Sequence, residues 1–204
     1  MYFDIGANIG QWALANVNNC DKIVAVEASP FTFRELINNC KNNKIVLVNR
    51  AVCNNNGNDI TFYQANCNVL STINKNWLTD ETSRFNNEPY NEITCKTITI
   101  DSLIEKFGVP KLIKIDVEGG EYSCVTSLTQ KVETLCFEWA SEVNDITFNC
   151  LNYLITLGFK KFYLQFEDNY IFIPNECEYY EIDVIKEKLK NTTPKLHWGM
   201  VWCK

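Results

Sequence analysis

Along the chain, short apolar runs alternate with longer stretches in which apolar residues recur every three or four positions. The runs read as buried strands and the periodic stretches as helices packed on them, which predicts α/β units around a mainly parallel sheet. Strands are expected at Tyr2–Ile5, Lys22–Val26, Ile45–Val48, Leu112–Val117, Glu133–Trp139, Lys161–Phe166 and His197–Cys203. Helices are expected at Gln11–Val17, Phe31–Asn42, Asp101–Phe107, Gly120–Leu128 and Asp145–Leu157. The segment from Asn55 to Ile100 breaks the rhythm. Its strand-like pieces "DITFYQ" and "EITCKTITI" flank a polar stretch, "NKNWLTDETSRFNNEPYN", expected to be an exposed loop or lid.

Composition changes this picture little. The 204 residues, 46% of them hydrophobic, suit one domain with a sizeable core. A net charge of −6 argues against a partner whose phosphates need a basic face, so no nucleic acid is expected. No stretch is long enough to span a bilayer and no secretory leader precedes the first strand, which makes a cytoplasmic location the expectation. The 10 cysteines form no CxxC pair, and several sit in apolar runs, as expected of reduced core thiols. The sequon Asn191-Thr192-Thr193 would then be idle.

Candidate chemistry starts at the first strand. In "DIGANIG", Gly6 and Gly10 allow a strand-to-helix turn that approaches a ligand closely, and the N–H groups around Gly10 to Trp12 suit an anionic group. The dinucleotide pattern GxGxxG fails, because Asn8 and Gln11 occupy the needed glycine positions. Asp4, at the mouth of the turn, would repel a pyrophosphate but suits a cationic cofactor such as S-adenosylmethionine. Glu27 ends the next strand, 21 residues beyond Gly6, where an acidic side chain reaches two ribose hydroxyls.

The strand "LIKIDVEGGEY" is less ordinary. Period-two alternation puts Lys114, Asp116 and Glu118 on one face. A central parallel strand is covered on both sides, so Lys114 needs a partner, and Asp116 and Asp4 are the candidates. Glu118 and Glu121 also suit the N-terminus of the following helix.

The motifs "FDIGANIG", "VAVEASP", "NRAV" and "TITIDSLIEKFGVPKLIKIDVEGGE" resemble, in order from residue 2 to about residue 140, the FkbM family of S-adenosylmethionine-dependent methyltransferases. The resemblance implies a Rossmann-like class I methyltransferase fold: a seven-stranded, mostly parallel sheet with an antiparallel C-terminal hairpin and helices on both faces. It implies O-methylation, most often of sugar or polyketide hydroxyls, with S-adenosyl-L-homocysteine as product, by enzymes found beside or fused to glycosyltransferase domains. Carried onto the matching motifs, it puts Asp4, Gly6, Ala7, Asn8, Gly10, Glu27, Ala28, Ser29, Ala51 and Asp116 around the cofactor. Family members usually carry chain before the first turn, so residues 1–204 are expected to be a single methyltransferase domain taken from, or ending, a longer polypeptide.

Methyl transfer needs the acceptor oxygen in line with the donor, and a hydroxyl needs its proton removed. The catalytic set is expected among Asp116, Glu138, Lys114 and His197, with Glu118 a further candidate base. Bound Mg²⁺ is the alternative activator, but Asp116 and Glu138 without a clear third carboxylate make a metal-free mechanism the expectation. For the acceptor, Ser71 and Thr72 in "NVLSTI" resemble a small hydroxyl element of the family, Trp139 beside Glu138 offers a stacking face, and Glu118 stands close by. Trp77 and Tyr90 in the polar stretch are further stacking candidates. Two alternatives stay open: a methyltransferase acting on a non-carbohydrate acceptor, and a non-catalytic module of this fold in a glycan-processing protein. "DVEG" stands where an amide- or amine-methylating enzyme would carry an Asn-Pro-Pro-Tyr-like tetrapeptide.

Overall fold

The seven apolar runs all become strands of one sheet in the computed structural model, which describes residues 1–192 and 195–204. Thr193 of the sequon lies outside the described residues. In chain order the first part comprises β1 (Tyr2–Ile5), α1 (Gln11–Asn16), β2 (Ile23–Glu27), α2 (Pro30–Asn39) and β3 (Ile45–Asn49). The middle holds β4 (Ala51–Val52), β5 (Asp59–Ala65), α3 (Asn76–Thr79), β6 (Tyr90–Ile98) and α4 (Ile100–Phe107). Then come β7 (Leu112–Ile115), α5 (Glu121–Val125), β8 (Thr134–Ala140), α6 (Asn144–Thr156), β9 (Phe162–Phe166), α7 (Ile182–Lys190) and β10 (Trp198–Cys203).

The main sheet has the order β3-β2-β1-β7-β8-β10-β9. Its first five strands run parallel, and β10 lies antiparallel between β8 and β9. This is the Rossmann-like methyltransferase arrangement with its antiparallel C-terminal pair. Alternation along each strand feeds two cores. Phe3, Ile5, Ile113, Ile115, Leu135 and Phe137 pack on one face under α4, α5, α6 and α7. Tyr2, Ala25, Leu112 and Cys136 face the other way, toward Trp12 and Ala13 of α1 and Leu36 of α2. Ser29 starts α2 by accepting the N–H groups of Phe31 and Thr32 at 3.2 Å each, with Pro30 in the first turn.

The polar stretch is a mostly irregular, partly exposed segment, but it is anchored to the fold at Trp77 and Leu78. Strands β4, β6 and β5 form a second, three-stranded sheet, and the connection between β5 and β6 folds back on it through α3. Trp77 is 3% and Leu78 0% exposed, packed with Ala65 and Ala140. The surrounding polar residues hide these two apolar anchors in the sequence. Helix α7 adds to the expected elements; its Ile182, Ile185 and Leu189 pack at helical spacing on the first core. All ten cysteines are free. Among the described residues no helix is long and apolar enough to cross a membrane.

Candidate active site

Strands β2 and β3 extend the sheet to one side of β1 while β7 and β8 extend it to the other, so the chain order reverses beside β1. Open α/β sheets bind ligands at the carboxyl ends of such strands. A cleft of about 640 Å³ opens there, within the range of small-molecule sites. Gly6 has φ 75°, and a Cβ on it would overlap the Asp116 carbonyl oxygen, so the β1 turn lies directly against the end of β7. Gly10 does not line the cleft; its φ of 93° and the Cys40 and Leu36 side chains packed on it give it a structural reason to be glycine.

One wall of the cleft is built by Gly6, Ala7, Asn8, Glu27, Ala28 and Ala51. Glu27 is 7% exposed and accepts the Asn8 N–H on Oε2 at 3.0 Å and the Ser29 N–H on Oε1 at 2.8 Å. These bonds fix the carboxylate and leave each oxygen a lone pair for a further donor. Asn8 is in the left-handed region, with φ 47°, and among the described residues its buried Oδ1 has no hydrogen-bond partner. Val52, Phe62 and Ile73 add an apolar surface. An acidic residue, an orphan acceptor and an apolar wall suit a nucleoside with free ribose hydroxyls.

The other end is acidic. Register puts Asp4 beside Lys114, and the Lys114 ammonium lies 3.5 Å from Asp4 Oδ1, 3.1 Å from Asp116 Oδ2 and 3.4 Å from the Gly6 carbonyl. Burial disfavours the Lys114 charge, but Asp116, Asp4 and Asp168 outweigh it and hold the group protonated above the ordinary lysine range. Just beyond, Asp116, Glu118 and Glu138 each present an oxygen within 4.8 Å of the others. Burial, then Glu118 and Asp116, push the Glu138 pKa well above the ordinary carboxylate value. Burial, then Asp116 and Glu121, do the same to Glu118. Sequence reading names all three as candidate bases but pairs only Asp116 and Glu138 as possible cation ligands. Glu118 joins them because it leaves the strand in the left-handed region, at φ 55°, and accepts the Trp77 indole N–H at 3.0 Å.

Several expected residues stand elsewhere. Trp139 is 1% exposed, and its indole donates to the Gln165 carbonyl; adjacent strand residues face opposite ways, so with Glu138 in the cleft Trp139 must enter the core. His197 does not line the cleft but packs edge-on against Phe166. Thr72 is fully buried, accepting the Asn74 N–H, while Ser71 lines the cleft and accepts from Gln64 Nε2 at 3.0 Å. Ser29 caps α2, and Asp4 lies beneath the cleft rather than on its surface. Trp77 lines the cleft from a buried position, and Tyr90 stacks edge-on against Tyr63. Arg84, Asp168 and Tyr170 line the cleft without having been expected there; each sits in an irregular segment with no motif spacing.

The buried acids make stability depend on pH. Burial pushes Glu27 and Glu121 up to about 7 each, against the N–H bonds each accepts. A carboxyl whose folded pKa is raised stabilises the protein below its unfolded pKa, and that contribution is lost as pH rises through about 7. Between pH 6 and pH 8 each group should therefore remove roughly 1.3 kcal/mol of stability. The ligand-free protein should melt about 5–10 °C lower at pH 8 than at pH 6, measured by scanning calorimetry. A midpoint unchanged between these pH values would show these acids to be ionised in the fold throughout.

A family model described as "Methyltransferase FkbM domain" matches residues 4–141. Among solved structures, the precorrin-6y C5,15-methyltransferase of Geobacter metallireducens GS-15 is similar over 100% of this chain and 78% of its own, at 11% identity and a TM-score of 0.47. No curated protein sequence matches the chain.

Proposed function

The chain belongs to the FkbM methyltransferase family, and from the chemistry of its cleft we propose that it is an S-adenosylmethionine-dependent O-methyltransferase acting on a hydroxyl of a sugar or glycan. The observation that carries the reading is Glu138. Among the described residues its carboxylate has no hydrogen-bond partner, it lines the cleft, and burial with the adjacent Glu118 raises its proton affinity well above that of an ordinary carboxylate, as suits a base.

S-adenosylmethionine, when bound, supplies a methyl group on a sulfonium, already activated for displacement. Glu27 would orient the ribose through the lone pairs that Asn8 and Ser29 leave free. The acidic end around Asp4 and Asp116 favours a cationic cofactor over a dinucleotide. Lys114 holds Asp116 in place at 3.1 Å. Glu138 takes the proton of the acceptor hydroxyl, and Glu118, held by Trp77, keeps the pair's proton affinity high. Ser71 and Arg84, which line the cleft, would hydrogen-bond acceptor hydroxyls.

The trio Asp116, Glu118 and Glu138 favours a second reading, in which these carboxylates hold a hard divalent cation that lowers the pKa of the acceptor hydroxyl. Incubation with S-adenosylmethionine and a panel of free sugars, glycosides and amines, followed by mass spectrometry, tests the proposal. It predicts a gain of one methyl on a hydroxyl of a sugar. Methylation confined to amines would overturn it, and loss of turnover with chelator, restored by Mg²⁺, would select the metal-assisted form.

A further inference from the structure

Asp168 lies outside the segment matched by the family model, on the connection between β9 and α7, yet it reaches the cleft. We propose that its carboxylate receives the α-ammonium group of the cofactor's methionine moiety. This rests on the S-adenosylmethionine reading given above.

The connection crosses the carboxyl end of the sheet as a strap fixed on both sides. On one side the Glu167 N–H donates to the Trp198 carbonyl of β10 at 2.9 Å. On the other, the Tyr170 carbonyl accepts from Asn16 Nδ2 of α1 at 2.7 Å, and the Tyr170 hydroxyl lies 3.1 Å from Gln11 Oε1. Glu167, with φ 60°, turns the chain between these anchors, immediately before Asp168. Asp168 then shares the cleft lining with Gly6, Lys114 and Asp116. Its position is therefore set by hydrogen bonds to two elements of the main fold, not by the surface of a free loop.

Charge balance at this end says what Asp168 is for. Three carboxylates, Asp4, Asp116 and Asp168, act on one ammonium, Lys114. Lys114 has three N–H donors, and its near neighbours are Asp4, Asp116 and the Gly6 carbonyl. Among the described residues Asp168 has no cation of its own. Burial pushes its pKa up to about 6, partly offset by Lys114, so it is ionised at neutral pH. With the ribose on Glu27, the amino-acid tail would extend toward the end of the cleft where Lys114, Asp116 and Asp4 act on Asp168. A primary ammonium brings a compensating charge and three donors there.

The test compares S-adenosylhomocysteine with 5′-methylthioadenosine, which keeps the adenosine and the sulfur but lacks the amino-acid end. Isothermal titration of the wild type should show tighter binding of S-adenosylhomocysteine. Asp168→Asn should weaken S-adenosylhomocysteine by about 10–100-fold, as loss of a charge-assisted hydrogen bond would. It should leave 5′-methylthioadenosine unchanged, and Asp168→Glu should recover part of the loss. Unchanged S-adenosylhomocysteine affinity in Asp168→Asn would overturn the proposal. So would an equal loss for both ligands, which would mark Asp168 as a prop for the strap. A wild type that binds neither ligand would instead sink the cofactor reading, and this inference with it.

Discussion

Glu138→Gln should lower kcat by about 10²–10⁴-fold, the usual contribution of a general base, and leave the affinity for S-adenosylhomocysteine little changed. The amide is nearly isosteric with the carboxylate, so the cleft keeps its shape while losing the proton acceptor. Glu138 stands with Glu118 and Asp116 at the acidic end of the cleft, away from the wall where Glu27 meets the cofactor's ribose in this account. Burial and the adjacent Glu118 raise its pKa, so wild-type turnover should climb with pH above the ordinary carboxylate range. Initial rates against pH for both proteins check this. A variant that turns over like the wild type would remove Glu138 from the mechanism and pass the role to Glu118.

Lys114→Met should destabilise the protein by about 3–5 kcal/mol, because it leaves a buried carboxylate without its countercharge. Asp4 is 0% exposed, and neither of its oxygens has a hydrogen-bond partner of good geometry among the described residues. Its support is the Lys114 ammonium at 3.5 Å, itself shared with Asp116 at 3.1 Å. The loss corresponds to a midpoint lower by roughly 6–20 °C for a chain of this size. Removing both charges in Asp4→Asn/Lys114→Met should restore much of it, since two neutral neighbours no longer carry an unpaired charge. Melting curves of the wild type, both single variants and the double variant complete the cycle. A Lys114→Met protein that melts with the wild type would show that Asp4 is protonated in the fold and owes nothing to the lysine.

Much of this site was legible before any coordinates, wherever a residue's neighbours follow from strand geometry. A lysine inside "LIKID" had to find a carboxylate, and the parallel register of β1 and β7 brings it Asp4. The end of "TLCFEW" had to reach the crevice, and Glu138 does. The same geometry, applied one residue further, excludes Trp139 from the cleft, because the pleat sends it to the opposite face. Other parts depend on tertiary contacts that no local pattern encodes. Glu118, which strand alternation already placed beside Asp116, is held there by a left-handed backbone turn and an indole 41 residues earlier in the chain. Trp77 and Leu78 are buried although polar residues surround them, since two apolar anchors suffice to fold a short segment onto a sheet. Asp168 sits in irregular chain and gains meaning only through the bonds that carry its strap to α1.

Thermal melting of the wild type with increasing S-adenosylhomocysteine, and with NAD in parallel, asks whether the cleft is built for S-adenosylmethionine. A ligand present at about 100 times its Kd adds about 2.7 kcal/mol of stability. The midpoint should rise by about 5–10 °C with S-adenosylhomocysteine and stay unchanged with NAD. No rise with S-adenosylhomocysteine, or an equal rise with NAD, would contradict the S-adenosylmethionine reading.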